Sequence, residues 1–196
     1  MLSRCLPVFR PSRLLSSQPA LDPVQEALLA EPCILVTPED RALGTASKRD
    51  CHRAATDGST LLHRAFSLFI FNSREELLLQ QRSDTKITFP SMWTNTCCSH
   101  PLAVEGEQEE ELGLGVRRAA QRRVGLELGV GAASAPVADI QYLTRILYSA
   151  PSSGEWGEHE LDYILVLRAD PEVQPDPEEV QAVEWVGKRH LQDFLR

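Results

Sequence analysis

From Leu61 to Phe71 the chain reads Leu-Leu-His-Arg-Ala-Phe-Ser-Leu-Phe-Ile-Phe, with apolar side chains on both alternating faces. A strand that is apolar on two sides must be covered on two sides, so this run predicts a central strand buried between layers. Its strongly apolar part, Ala65 to Phe71, is far too short to cross a bilayer and predicts a soluble protein without a membrane partner.

The flanking segments supply the other elements. Asn72 to Glu76 reads as a turn and Leu77 to Gln81 as a strand pairing back, so that Arg82 and Lys86 open a loop. Upstream, Asp22-Pro23 caps a short helix, and Cys33–Val36 and Ala42–Ala46 form a hairpin around Pro38-Glu39-Asp40. Ser47 to Thr60 is polar and irregular, a loop carrying Lys48, Arg49 and His52. Downstream, an acidic run from Glu105 to Glu111 precedes Leu114–Leu128, where Val116, Ala119, Ala120, Val124 and Leu128 recur at near-helical spacing and Gly129 ends the helix. Ile140–Tyr148, Leu161–Leu167 and Val180–Val186 read as strands, and Lys188–Arg196 as a terminal helix. Strands with one major helix inserted predict an α/β (α+β) fold, mixed β-sheets flanked by helices, in one domain over residues 21–196.

At 196 residues and 42% hydrophobic content the chain can bury one sizeable core. A formal charge of −8 without a long basic run argues against nucleic acid or an anionic membrane as partner. Five unevenly spaced cysteines do not make a disulfide framework and fit a reducing compartment. Residues 1–20 hold Arg4, Arg10 and Arg13, several serines and prolines, and no acidic residue, which reads as a disordered or transit-like leader.

Reactive groups concentrate in Thr94-Asn95-Thr96-Cys97-Cys98-Ser99-His100, directly after Phe89, Met92 and Trp93. Extended backbone would aim Cys98 and His100 one way and Cys97 the other, into packing. Asn95 and Ser99 would shape the pocket. Glu158 and Glu160 likewise share a face while His159 takes the opposite one. His52, His63 and His100 with these two carboxylates would suit a first-row divalent ion, manganese or zinc rather than calcium. A nearby metal or cation would bring the thiol toward reactivity, and Lys48, Arg82, Lys86 and Arg123 are candidate anion ligands if they converge.

Arg122 to Val130 resembles the second half of the Nudix box. Of its glutamates only Glu127 is retained, Arg123 and Leu126 standing at other positions, which disfavours Nudix-type diphosphate hydrolysis while leaving one carboxylate for one Mg²⁺ on a diphosphate.

Leu61-Leu62-His63-Arg64-Ala65-Phe66, Leu79 to Asp84, Thr94 to Pro101, Gly115 to Arg123 and Trp156 to Ile164 occur in an order that resembles the type I isopentenyl-diphosphate isomerases, from about Cys33 to Val186. The resemblance implies a Nudix-like fold and interconversion of isopentenyl and dimethylallyl diphosphate, in isoprenoid and sterol biosynthesis. It implies that His52, His63, His100, Glu158 and Glu160 bind a divalent metal (Mn²⁺, Zn²⁺ or Mg²⁺), and that Glu127 binds a Mg²⁺ shared with the diphosphate. Lys48, Arg82, Lys86 and Arg123 would bind phosphate, Cys98 would be the catalytic thiol, and Glu160 with Tyr148 the opposing acid–base pair. The substrate is then a small prenyl diphosphate, the protein a monomer, and the compartment the cytoplasm, with peroxisome and mitochondrion as alternatives.

Two departures qualify the match. The family continues past the position of Arg196 into a segment with a Thr-Pro-Trp motif, so the chain reads as truncated, and the alternative function is prenyl-diphosphate binding without turnover. Ser91 stands where a glycine is usual, which matters if that position needs positive φ.

Overall fold

The computed structural model describes residues 23–152 and 154–194. The expectations for the leader at 1–20 and for the cap at Asp22 lie outside these residues. The elements in order are α1 (Pro23–Leu29), β1 (Pro32–Val36), β2 (Ala42–Ser47), α2 (Lys48–His52), β3 (His63–Phe71), β4 (Glu76–Arg82), β5 (Trp93–Thr94), β6 (Cys97–Ser99), α3 (Leu114–Leu128), β7 (Gln141–Pro151), β8 (Gly157–Arg168), β9 (Val180–Gly187) and α4 (Lys188–Phe194). This is a mixed α+β domain, as the order of patterns predicts.

The apolar run is the centre of one mixed sheet. One edge of β3 is taken along its whole length by β8 in parallel, from His63 opposite Glu160 to Phe71 opposite Arg168. The other edge is shared in turn by β1 at His63, β6 at Phe66–Leu68 and β4 at Phe71. The expected return of Leu77–Gln81 onto β3 is thus reduced to a single pair, because β6 takes the middle of that edge and β4 pairs mainly with β9.

The two faces of the sheet have different fates. Phe66, Leu68, Cys97, Tyr163 and Leu165 point to one side and pack against Val116, Ala119, Ala120, Val124 and Leu128 of α3 in the principal core. Such burial, at about 25 cal/mol per Å² of apolar surface, is the main force holding helix to sheet. Gly115 is required by the approach of the chain to this helix, since a Cβ there would lie 2.2 Å from the Glu107 carbonyl oxygen. Gly129 ends α3 in the left-handed conformation, φ 66°. The opposite face carries His63, Glu160, Ser67 and Cys98, paired across the strands, and it is the polar face that becomes the site.

Two differences from the expected elements bear on that site. Ser47–Thr60 is not a loop throughout: its first turn is α2, capped by Ser47 Oγ accepting from Asp50 N at 3.1 Å. Five residues are too few for a helical period to register in the sequence. Strand β8 also begins at Gly157, four residues before the expected Leu161, because β7 pairs with it down to Pro151. Glu158 and Glu160 therefore sit within the sheet rather than ahead of it.

Candidate active site

Four buried side chains meet at one point beside the start of β3: His52 from α2, His63 from β3, His100 after β6, and Glu160 from β8. One ligand atom from each lies within 4.8 Å of all the others. Glu160 Oε1 is 3.0 Å from His100 Nε2, 3.5 Å from His63 Nε2 and 3.7 Å from His52 Nε2. The backbone sets this orientation, since His52 Nδ1 is 2.8 Å from Lys48 O and His63 Nδ1 is 2.8 Å from Leu61 O. An Nδ1–H given to a carbonyl leaves Nε2 as a lone pair aimed inward. His63 Nε2 is fully buried without a hydrogen-bond donor. Inward lone pairs around one carboxylate need a cation between them, and an imidazole and carboxylate donor set fits a divalent metal. Burial holds the His100 imidazole well below its usual pKa despite Glu160, which keeps it available as a neutral ligand.

Glu158, expected among the ligands, is not in this group. Strand β3 begins opposite Glu160, so Glu158 overhangs it by two positions with no histidine alongside. Its carboxylate turns to Tyr148 instead. The Tyr148 hydroxyl lies 2.6 Å from Glu160 Oε2 and 2.8 Å from Glu158 Oε2. Burial and the two carboxylates push the phenol far up, so it keeps its proton. Burial raises Glu158, with Glu160 adding to the effect. Burial opposes ionisation of Glu160 too, but the surrounding imidazoles, His100 first at 3.0 Å, overcome it and hold the carboxyl well below its usual range.

Cys98 faces the same hollow and Cys97 the core, as strand alternation predicts. Cys97 is completely buried, its S–H directed at Glu127 Oε2 at 3.3 Å. Cys98 is half-buried, and burial pushes its thiol up to about 12 although the Arg82 guanidinium, 3.8 Å away, pulls in the other direction. Beside it opens a cavity of about 170 Å³ lined by Phe89, Met92, Trp93, Asn95, Tyr148 and Glu158 among others. The Asn95 amide donates to Leu68 O and Cys97 O, at 3.1 and 2.9 Å, and so braces β6 as well as lining the cavity.

A second, basic pocket adjoins the first. Lys48, Arg82, Lys86 and Arg123 converge there with Ser99, His100, Glu127 and Glu160. The candidate anion ligands are therefore brought together. One turn of α2 delivers Lys48 to this pocket and His52, four residues on, to the histidine cluster. Burial lowers the Lys48 pKa, and repulsion from Lys86 and Arg123 lowers it further, a measure of how closely the cations crowd. Arg82 is partly committed, with its Nε and Nη2 donating to Thr88 O at 3.1 and 2.7 Å. Arg123 is not on a solvated helix face: it is 2% exposed and donates to Glu127 Oε1 from Nη2 at 2.5 Å. Burial alone would raise Glu127, but Arg123 and Lys86 hold it down at about 2.

Sequence reasoning missed two carboxylates that support this site. Glu107, within the acidic run, is buried and takes Arg122 at 2.6 Å, while Arg122 also donates to His100 O at 3.3 Å. Glu179, just ahead of the last strand, contacts both Lys86 and Arg123. Neither has a local signal, because each partner is remote in sequence or hidden by a charge run.

Comparison with known proteins adds three findings. The NUDIX domain family matches residues 61–195. The chain is 52% identical over 178 residues to the chloroplastic isopentenyl-diphosphate Delta-isomerase II of Arabidopsis thaliana, covering 90% of this chain and 63% of that one. It is 51% identical over 175 residues to isopentenyl-diphosphate Delta-isomerase 1 of Bos taurus, covering 89% and 77%. The chain thus spans less than two thirds of the Arabidopsis relative's length. In fold it is similar to the crystal structure of DR0079 from Deinococcus radiodurans, with TM-score 0.56 and 20% identity over 84% of this chain and 88% of that one.

Proposed function

Since the chain belongs to the isopentenyl-diphosphate Delta-isomerase family of NUDIX-domain proteins, we propose that it interconverts isopentenyl and dimethylallyl diphosphate. The observation that carries this reading is that Cys98, Tyr148 and Glu160 line one pocket with the four converging cations, and that Cys98 and Tyr148 also border the adjoining cavity walled by Phe89, Met92 and Trp93. The apolar walls would take the hydrocarbon and the cations the diphosphate. Remote binding of the diphosphate then fixes the alkene between the proton-transfer groups and excludes water from the intermediate.

Moving the double bond requires a proton added to the terminal alkene carbon, a tertiary carbocation, and a proton removed from the carbon on its other side. The resting proton inventory supports an assignment of roles. Burial raises the Cys98 thiol and so favours its protonated, donor form, while the surrounding imidazoles lower Glu160 and favour its ionised, acceptor form. In the direction of dimethylallyl diphosphate, Cys98 would deliver the proton and Glu160, bonded to Tyr148, would receive one. The reverse reaction exchanges the roles and restores the starting state, as does proton exchange with solvent after product leaves. His52, His63, His100 and Glu160 would hold a Mn²⁺, Zn²⁺ or Mg²⁺ ion, and Glu127 a Mg²⁺ shared with the diphosphate. Bound there, these ions supply fixed positive charge that orients Glu160 and neutralises phosphate. Glu158 would serve through Tyr148 rather than as a ligand.

Incubation of the purified chain with isopentenyl diphosphate and Mg²⁺, followed by NMR, is expected to show dimethylallyl diphosphate. A folded, metal-loaded protein that gives none overturns the proposal. Among the described residues no helix is long and apolar enough to cross a membrane. We place the activity in the cytoplasm, because no residue of the site calls for a particular compartment. A mitochondrial pattern from residues 1–30 fused to a fluorescent protein would overturn that placement.

A further inference from the structure

We propose that Glu179 is a positioning residue of the diphosphate pocket: it clamps Lys86 and Arg123 side by side and thereby releases Glu127 to take a divalent cation. The inference rests on the isomerase reading, and concerns how that site is kept ready for its ligand.

The geometry is specific. Glu179 is 5% exposed, and its Oε2 accepts from both Lys86 Nζ and Arg123 Nη2, the latter at 2.9 Å. Its Oε1 accepts from Gln25 Nε2 of α1 at 3.0 Å. Two cations on one oxygen repel each other, so they keep this spacing only while the carboxylate stands between them. Arg123 also contacts Glu127, through Nε at 3.1 Å and Nη2 at 2.5 Å. When Glu127 takes a divalent cation, Arg123 loses that partner in whole or part. Glu179 is the remaining carboxylate that it contacts, and it would hold the guanidinium facing the phosphate.

The backbone around Glu179 is built to keep it still. Gln174 N donates to Leu128 O at 2.7 Å and Asp176 N to Glu127 O at 2.9 Å, so this loop satisfies carbonyls at the C-terminal end of α3. Ser83 N donates to Glu179 O at 3.0 Å, tying the same residue to the loop that carries Lys86. The carboxylates of Glu127 and Glu179 are thus fixed to one backbone frame.

Two effects of removing the charge oppose each other. Loss of a negative charge near an anion site should tighten diphosphate binding through bulk electrostatics. Loss of the clamp should weaken it, since Lys86 and Arg123 separate and Arg123 closes on Glu127. At these contact distances the second effect dominates, because charge-assisted hydrogen bonds exceed screened attraction at longer range.

The test is calorimetric titration of the full chain with inorganic diphosphate at fixed Mg²⁺, then with Mg²⁺ at fixed diphosphate. Glu179→Gln is expected to weaken diphosphate binding about tenfold or more and to raise the half-saturating Mg²⁺, with metal content at the histidine cluster nearly unchanged. Glu179→Asp, which keeps the charge on a shorter stem, is expected to lose less, and it decides the matter if Glu179→Gln does not fold. Diphosphate binding equal to or tighter than wild type in the folded variants, or no binding by the wild type, overturns the inference. Wild-type turnover of isopentenyl diphosphate is measured in parallel. Binding without turnover would sink the isomerase reading alone, and turnover with an indifferent Glu179 would sink this one alone.

Discussion

Glu127 and Glu160 are both buried carboxylates held well below their usual pKa, yet they reach that state differently. Glu127 is matched by permanent cations, Arg123 in direct contact and Lys86 nearby, so its charge is balanced by the chain itself. Glu160 is surrounded by three imidazoles that offer lone pairs, and no arginine or lysine ion pair reaches it among the described residues. The first arrangement is complete before any ligand arrives. The second is a donor set that a cation brought from outside would complete, and the proposed proton transfer is built on it.

The largest expected effect breaks the chemistry at the second carboxylate. Glu160→Gln removes the proposed proton acceptor and ion ligand together, and Cys98→Ala removes the proposed opposing proton carrier. Each is expected to lower isomerase turnover at least about 10³-fold, the upper range for a lost acid–base group. They differ in metal content, measured by elemental analysis: Glu160→Gln loses the ion at the histidine cluster and Cys98→Ala retains it. Equal metal content in both would contradict the assignment of Glu160 as the bridge between ion and Tyr148.

Chelation probes the same contrast without mutation. An ion held at about a thousandfold above its dissociation constant stabilises the folded state by about 4 kcal/mol. For a domain of this size that corresponds to a fall of roughly 10 °C in Tm when the ion is stripped. Glu160→Gln should show only a small shift with chelator, and Glu127→Gln a shift close to that of the wild type. If chelation destabilises neither protein, the histidine cluster is not completed by an ion.

How far these arrangements can be read from sequence depends on the range of the contacts. Strand and helix periods are local, so β3, β9 and the full span of α3 are legible, as is the alternation that separates Cys98 from Cys97. Resemblance of ordered motifs brings together His52, His63, His100 and Glu160, which spacing alone does not. What stays hidden is compensation. Arg123 looks like one of four surface arginines on α3, and its burial depends on Glu127 one turn away and Glu179 fifty-six positions on. Glu158 and Glu160 are equivalent in an extended strand and both contact Tyr148, and only the register with β3, which starts at His63, puts Glu160 among the histidines and leaves Glu158 two positions beyond them. The pairing of β4 with β9 rather than β3 is likewise set by β6 arriving from elsewhere in the chain.

Acid titration separates the self-balanced carboxylate from the rest. The folded pKa of Glu127 is depressed to about 2 from 4.5, so its contribution is fully present above pH 4.5 and is lost as pH falls toward 2. At pH 7 the shift corresponds to about 3 kcal/mol, an upper figure because Arg123 keeps Glu179 when Glu127 is neutral. Glu127→Gln is expected to lower stability at pH 7 by about 1–3 kcal/mol by urea unfolding. Its deficit relative to wild type should shrink by about half or more at pH 3. A deficit independent of pH would assign the loss to packing and not to charge.

The smallest effect concerns the loop that joins the two regions, running from Lys86 on the cationic side to Phe89 and Met92 beside Cys98. Ser91 within it adopts φ 59°, in the left-handed region, and Phe89 adopts φ 48°. A side chain at such a position costs about 1 kcal/mol relative to glycine, partly offset by the greater freedom that glycine has when unfolded. Ser91 is exposed, and the contacts that fix its conformation are backbone ones, Gln81 Nε2 donating to its carbonyl at 3.0 Å. Ser91→Gly is therefore expected to raise stability by about 0.5 kcal/mol, read as a small rise in the urea midpoint. If the strain is instead used to press Phe89 toward Cys98, the same variant will also raise KM for isopentenyl diphosphate, while diphosphate binding at the self-balanced pocket stays as it was.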